Sequence, residues 1–333
     1  MWCIADDVVR RLADIRRTHP TPTARKRAKM LLGATAVLFN PSDADIDHLT
    51  SLATLAKEVV AVDNSPDPDT QLHARLKALD VHVVENRNVG GLARGLNLGI
   101  RELFERGCDV ACVFDQDSEV PGNYFEALES AAVELDRPDF IIGPVVHIAE
   151  LGQKLPAVNF GRWGVSAKQV PEGLSGLTPS MFIITSGTAV SRTAFDKLGD
   201  FKEDYFIECL DTEYAFRAAV ADIPSFMHAG VLLEHSIATT TKHALGFVAY
   251  NRNPDRCYYC ARNTVALSRE YLRTRPVALL WNLSTLLQVI TVLFFEKDKR
   301  RKLTATFVGV LDGLRGKWGT YAERWPRLSK RRP

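Results

Sequence analysis

Between residues 34 and 117 short apolar runs alternate with stretches of helical spacing. "GATAVLFNP" stops at Asn-Pro, and "DADIDHLTSLATLAKE" follows with apolar residues three and four apart. "VVAVDNSPDPD" and "TQLHARLKAL" repeat the unit, as do "VHVVENRNVGG" and "LARGLNLGIRELFERG", and "DVACVFDQDS" closes the series. This alternation predicts an α/β fold, a Rossmann-like, mostly parallel central sheet with helices on its faces. Ligands of such sheets sit beyond the carboxyl ends of the strands, where Asn40, Asp63, Gly90, Gly91, Asp115 and Asp117 fall.

Residues 144 to 180 are less regular and rich in Gly and Pro, which predicts a loop with short strands. "MFIITSGTAVS" returns to strand, "DYFIECLDTEYAFRAAVAD" starts acidic and becomes helical, and "IPSFMHAGVLLEHS" is another strand. After about residue 250 the pattern is helical. The expected division is a basic, helical N-terminal extension (1–33), an α/β domain (34–250) and a helical C-terminal region (251–333). Within the last, "PVALLWNLSTLLQVITVLFFEKDKRRK" has an apolar part about long enough to span a bilayer, but Asn282, Ser284, Thr285 and Gln288 interrupt it. Two readings stay open: a helix in the membrane interface with Lys297 to Lys302 at the headgroups, or a core helix followed by a solvated basic turn.

Composition narrows the class. Of 333 residues 46% are hydrophobic and 25% charged, an ordinary globular mixture. The net charge of +2 hides basic ends around an acidic middle: 8 Lys/Arg against 3 Asp in residues 1–33, 12 against 4 acids in 296–333, and 22 against 33 between them. A nucleic-acid binder is expected to carry its basic surface across the folded domain, whereas basic flanks beside apolar helices suit an anionic membrane surface. The opening "MWCIADDVVRRLADIRR" is too charged for a secretory h-region, and the six cysteines follow no disulfide framework. The expected location is the cytoplasm, with peripheral contact at the cytoplasmic face of the membrane as an option. Cys257 and Cys260 spell Cys-x-x-Cys, but one such pair on a helix reads as two small apolar residues, not a metal site.

The candidate chemistry lies in "CVFDQDSEVPG", where Asp115 and Asp117 follow a buried run. A buried carboxylate costs several kcal/mol unless solvent or a cation meets it, so the pair is either a solvated turn or half of a cation site. Further acidic and imidazole signals follow in order: Asp63 in "VDNSP", Asp211 and Glu213 in "ECLDTEY", and His235 in "LLEHS".

Together these segments resemble the family-2 glycosyltransferases, most closely their rhamnosyltransferase-like branch, from about Thr35 to Gly319. "NVGGLARGLNLGI" is similar to the family's Asn-x-Gly-Gly segment and "FDQDS" to its Asp-x-Asp element, while "ITSGTAVS", "FIECLDTEYAFRA" and "RCYYCARN" also match. The resemblance implies the GT-A fold and an inverting, metal-dependent transfer of a sugar, L-rhamnose from dTDP-β-L-rhamnose, to a hydroxyl of a surface polysaccharide or lipid-linked glycan. A UDP-linked hexose or galactofuranose donor, or a binder without catalysis, are the alternatives.

The implied roles follow what sugar transfer needs. Asp117 and His235 are expected to bind Mg²⁺ or Mn²⁺, with Asp115 and Gln116 near the donor; His235 also has a purely structural reading, and Glu234 could orient it. Asp211 is the expected catalytic base, although a helix cap is its other reading. Asp63 is expected to accept from the ring N–H of a pyrimidine, with Phe39, Asn40, Gly91 and Arg94 completing the base pocket. Arg256 and Arg262 are expected at the diphosphate, and Trp163 and Glu213 at the acceptor. A haloacid-dehalogenase phosphatase carries its Asp-x-Asp on the first strand, and three strand and helix units precede it here. A nucleotidyltransferase needs a Gly-rich loop that "VLFNPSD" lacks.

Overall fold

The computed structural model describes residues 30–235, 241–242, 248–249 and 251–330. The chain enters at β1 (Leu32–Leu38) and continues through α1 (Asp43–Leu55), β2 (Glu58–Asp63), α2 (Thr70–Ala78), β3 (His82–Glu85) and α3 (Gly91–Glu105) to β4 (Val110–Asp115). These elements lie where the periodicity placed them, and local chemistry sets their ends. Ser42 and Asp45 form a reciprocal capping box on α1, and the Asp69 side chain caps α2. Every residue of β1 is buried, as expected of a parallel strand covered on both faces.

After α4 (Tyr124–Leu135) and β5 (Ile141–Ile148) come the short strands β6 (Gln153–Lys154), β7 (Ala157–Phe160), β8 (Val165–Lys168) and β9 (Leu177–Pro179). Then follow β10 (Thr188–Ser191), α5 (Arg192–Leu198), α6 (Leu210–Val220) and β11 (Ser225–His235). The expected strand "MFIITSGTAVS" is extended only from Thr188, because Gly187 turns the chain at φ 77° and its N–H donates to the Val113 carbonyl at 2.7 Å.

Among the described residues the main sheet has the order β3-β2-β1-β4-β10-β5-β11-β9, with β6 added on β5. β3, β2, β1 and β4 run parallel, β10 is antiparallel to both β4 and β5, and β11 is parallel to β5. With β10 the one reversed strand between them, β4 and β11 point the same way. Their last residues, Asp115 and His235, therefore emerge at one edge of the sheet.

From Leu31 onward the chain forms one compact unit. The helices α7 (Pro254–Tyr271), α8 (Asn282–Phe295) and α9 (Lys299–Arg315) belong to that unit with the sheet. The expected N-terminal extension lies, up to residue 29, outside the described residues, and β1 already begins at Leu32. Cys257 and Cys260 are buried, free thiols on α7, and burial pushes them up to about 12 and about 11, so they behave as apolar side chains.

One close approach holds α3 against the sheet. A Cβ at Gly99 would stand 2.0 Å from Thr35 Oγ1 on β1, so only glycine lets α3 lie this near the strand. Gly99→Ala is expected to destabilise the protein by about 1–3 kcal/mol through overpacking, although alanine is the better helix former by ~1 kcal/mol. Adding Thr35→Ala should restore much of the loss in denaturant titrations. Simple additivity of the two changes would assign the cost elsewhere.

Candidate active site

The site forms where the strand order reverses, the position at which open α/β sheets bind ligands. β1 lies between β2 and β4, and its residues Leu38 and Val37 register with Asp63 and Asp115. Both carboxylates thus flank the segment Phe39–Asn40. The Phe39 N–H donates to Gln116 Oε1 at 2.7 Å, and Gln116 Nε2 reaches Asp45 Oδ2 at 3.3 Å. Gln116 is therefore a cross-link between strand ends. Asn40 has a left-handed φ of 45°, and its N–H donates to Ser65 Oγ at 2.9 Å. The Phe39 ring remains exposed beside them.

Asp63 is buried: Oδ1 accepts from the Ser65 N–H at 2.9 Å and Oδ2 lies 2.7 Å from His73 Nε2. Each oxygen keeps a further lone pair, which is what a base N–H needs. The loop after β3 is fixed by asparagines that the sequence reading passed over. Asn86 Nδ2 donates to Asn64 Oδ1 at 2.6 Å and to the Val89 carbonyl at 2.8 Å, and Asn64 Nδ2 donates to Asn88 Oδ1 at 3.2 Å. Gly91 follows at φ 66°, and a Cβ there would stand 2.5 Å from the Phe206 carbonyl oxygen. That oxygen also accepts from the Ala93 N–H at 3.2 Å. The glycine loop and the segment at 206 are thereby locked together. Arg94 is half-exposed, 3.8 Å from Glu203 Oε2, and its Nε is buried without a partner among the described residues.

Asp115 and Asp117 occupy the turn after β4, pinned from below. Ser118 Oγ accepts from the Asp115 N–H at 3.1 Å and lies 2.6 Å from Ser186 Oγ. Burial raises the Asp115 pKa; His235 opposes the rise, Asp117 adds to it and Arg256 opposes it again. All three groups thus lie close enough to act on Asp115. Glu234 does not orient His235: its carboxylate meets His147 Nδ1 at 2.7 Å, because neighbouring side chains of a strand point to opposite faces.

Asp211 stands in the first turn of α6. Its Oδ1 accepts from the Thr212 N–H at 2.7 Å, and an apolar pocket lined by Ile183, Phe201 and Tyr214 backs it. Burial lifts its pKa to about 6, the Thr212 hydrogen bonds oppose this, and the charges of Glu208 and Asp115 add to it. The turn that presents it is strained: Phe206, Glu208 and Cys209 are non-glycine residues at φ 62°, 65° and 59°.

Two expected roles are corrected by this turn. Arg262 is fully buried and does not face a diphosphate. Its Nη2 donates to the Asp204 carbonyl at 2.8 Å and the Tyr205 carbonyl at 3.1 Å, its Nη1 donates to Gly319 O at 2.6 Å, and it packs against the rings of Tyr258, Tyr259 and Trp318. Glu213 does not face an acceptor either. It is buried and saturated by Arg217, by Lys202 at 3.2 Å and by the Tyr271 hydroxyl at 2.9 Å. Asn263, unremarked in the sequence, donates to the carbonyls of Tyr205, Ile207 and Glu208 at 2.8–2.9 Å. The signal for both braces was their place in "ARN" on a helix with buried faces.

Arg256 stays half-exposed with its Nε 2.5 Å from Glu208 Oε1, and Arg252 Nε lies 3.5 Å from the same oxygen. Glu208 thus anchors both guanidinium groups. Trp163 is exposed in the turn between β7 and β8, with the Arg162 guanidinium 5.6 Å from its ring centroid.

The donor chemistry at this edge fits a hard divalent cation. Asp115 and Asp117 supply carboxylate oxygens and His235 an imidazole, and the raised Asp115 pKa reflects a carboxyl withdrawn from water, which a cation would favour in its ionised form. Among the described residues no three His, Cys, Asp or Glu side chains already converge on one point. Oxygens from a ligand are needed to complete such a shell, the usual habit of Mg²⁺ beside phosphates.

Comparison with known proteins agrees with this geometry. Over 295 residues the chain is 29% identical to dTDP-rhamnosyl transferase RfbF of Shigella flexneri, covering 85% of this chain and 95% of that one. The fold is similar to that of the mannosyltransferase PcManGT from Pyrobaculum calidifontis in complex with GDP-Man and Mn²⁺, with a TM-score of 0.53 at 13% identity over 93% of this chain and 94% of that one. It is also similar to S. aureus TarS 1–349 in complex with UDP-GlcNAc, with a TM-score of 0.55 at 12% identity over 85% of this chain and 81% of that one. The sheet is that of a GT-A glycosyltransferase. Residues 46–199, which run from within α1 through the Asp115 turn and the reversed strand β10 to α5, match Glycosyl transferase family 2.

Proposed function

We propose that the protein is an inverting glycosyltransferase that moves L-rhamnose from dTDP-β-L-rhamnose to a hydroxyl of a surface polysaccharide or lipid-linked glycan. The observation that carries the reading is the Asp211 carboxyl, held at about 6 beside Asp115 by burial and neighbouring negative charge. A group with that pKa is ionised at neutral pH yet basic enough to take a proton, the balance that general-base catalysis requires. The rhamnose assignment draws on the name of the 29% identical relative.

In this mechanism Asp63, Phe39 and Asn40 receive the pyrimidine nucleoside, and Gly91 lets the backbone approach it closely. Asp117 and His235, together with Asp115, would hold a Mg²⁺ or Mn²⁺, which when bound would supply positive charge to offset that of the departing diphosphate. Arg256, released in part from Glu208, adds a second cation on that side. Asp211 removes the proton from the acceptor hydroxyl as its oxygen bonds to the anomeric carbon and the bond from that carbon to the diphosphate breaks. Attack opposite the leaving group inverts the β donor to an α product. Trp163 offers an exposed ring on which an acceptor sugar can stack.

Asp211→Asn should lower the turnover number by roughly 10²–10⁴-fold while the Kd for dTDP changes little in calorimetry; unchanged turnover removes Asp211 from its role. In the wild type kcat/KM should rise with pH through about 6 and then level off. The same group carries a stability signature. Its folded pKa is raised from 3.8 to about 6, so its contribution to stability is full below 3.8 and is lost as pH rises through about 6. Metal-free Asp211→Asn should therefore be more stable than wild type at pH 8, by roughly 1–2 kcal/mol after allowing for partial exposure.

Mn²⁺ should tighten dTDP binding by about tenfold or more, given the charge it offsets. Asp117→Ala should abolish that metal effect, and a variant retaining it in full would exclude Asp117 as a ligand.

A further inference from the structure

The helix α8 is built inside out. Thr285, Gln288 and Thr291 are buried on its inner face, where Thr285 Oγ1 lies 2.9 Å from Thr264 Oγ1 and Gln288 Nε2 donates to Thr306 Oγ1 at 2.9 Å and to the Cys257 carbonyl at 3.3 Å. Its leucines face the other way. Leu283, Leu286, Leu287 and Leu293 are about half exposed and Phe294 is 70% exposed, continued by Leu279 and Leu280 in the preceding turn. Along a helix these positions fall on one side. Soluble helices show the reverse arrangement, so this face lacks its natural neighbour.

The segment Pro276–Phe295 is apolar and long enough to cross a bilayer by length and composition. Its packing argues against crossing. Withdrawn into hydrocarbon, the inner hydroxyls and the amide would lose partners on α7 and α9, and those partners would be left buried and unmet. The fold keeps the helix parallel to the protein surface with one side bare.

Charge identifies what covers that side. Lys297, Lys299 and Arg300, against one exposed anion, Asp298, stand just past its carboxyl end with a surplus of positive charge, and Arg273 is exposed just before its start, while Lys302 of the expected headgroup cluster is withdrawn into a buried pair with Glu296 at 2.6 Å. Cations at both ends place like charges against each other when two copies meet face to face in either direction. An anionic sheet attracts both ends at once, each cation near it raising partitioning about fivefold. We infer that α8 docks the protein onto an anionic lipid surface, lying in the interface with its leucines among the acyl chains and the residues at 297–300 at the headgroups. The inference is independent of the donor and acceptor assigned above.

Sedimentation of the full chain with vesicles of phosphatidylcholine, with and without phosphatidylglycerol, tests it. The wild type should bind the anionic vesicles, release in high salt, and bind the neutral ones far more weakly. Leu283→Ser with Leu287→Ser and Phe294→Ser should lower the partition coefficient at least tenfold, and Lys297→Glu with Arg300→Glu about tenfold or more, with transfer to a water-soluble acceptor unchanged. Wild-type protein left wholly in the supernatant overturns the inference. So does binding that survives both variants, or a dimer in sedimentation equilibrium that the serine variant disrupts without any vesicle binding. Should the serine variant misfold, the lipid-composition and salt dependence of the wild type still decides.

Discussion

The backbone at residues 206–209 cannot hold its shape alone. Left-handed dihedrals at Phe206, Glu208 and Cys209 cost free energy for side chains with a Cβ, of order 1 kcal/mol or more each. The conformation persists because Asn263 and Arg262 supply donors to four successive carbonyls other than Phe206, while the amide of Ala93 takes the carbonyl of Phe206 itself. A guanidinium inside the protein is expensive, and here carbonyl dipoles and three aromatic faces meet it on every side. The position of Asp211 follows from this brace. So does its environment, because the turn swings the carboxyl over an apolar pocket and toward Asp115.

Much of the fold was legible in the sequence because parallel sheets write themselves plainly: short apolar runs, turn residues at their ends, helices of 3.6-residue period between them. Asp63, Asp115 and Asp117 were placed correctly at strand ends for the same reason. The expected strand at 181–191 failed at its first half, since β-branched composition there competes with a glycine turn that only tertiary contacts reveal. Arg262 and Glu213 were misread for a deeper reason. Arginine and glutamate are usually exposed, and nothing local announces that a neighbouring helix will bury them among carbonyls and counter-charges. Asn64, Asn86 and Asn263 were missed because an asparagine's amide is as ordinary in a turn as in a buried network.

The electrostatics of the edge share one logic. Asp115 and Asp211 are each disfavoured as anions by burial, with the charge of Asp117 adding to the effect at Asp115 and those of Glu208 and Asp115 at Asp211, and Arg256 stands by in a pair with Glu208. Under the proposed mechanism such a pocket would favour positive charge, whether it arrives as a metal ion, as a proton from an alcohol, or as the developing cation on a sugar ring. Stability is spent to keep it so, the usual relation between a fold and its reactive centre.

The Arg262 Nη1 donates to the carbonyl of Gly319, and the Trp318 ring lies 5.2 Å from its guanidinium carbon. The guanidinium that steadies the turn before Asp211 is thus sealed by residues lying more than a hundred positions later in the chain. A nascent polypeptide emerging from the ribosome has the main sheet and the acidic residues of the candidate site long before it has this closing contact. The brace on the turn before Asp211 is therefore incomplete until residues 318–319 have been made, so a translation product interrupted before them can have its sheet without that brace.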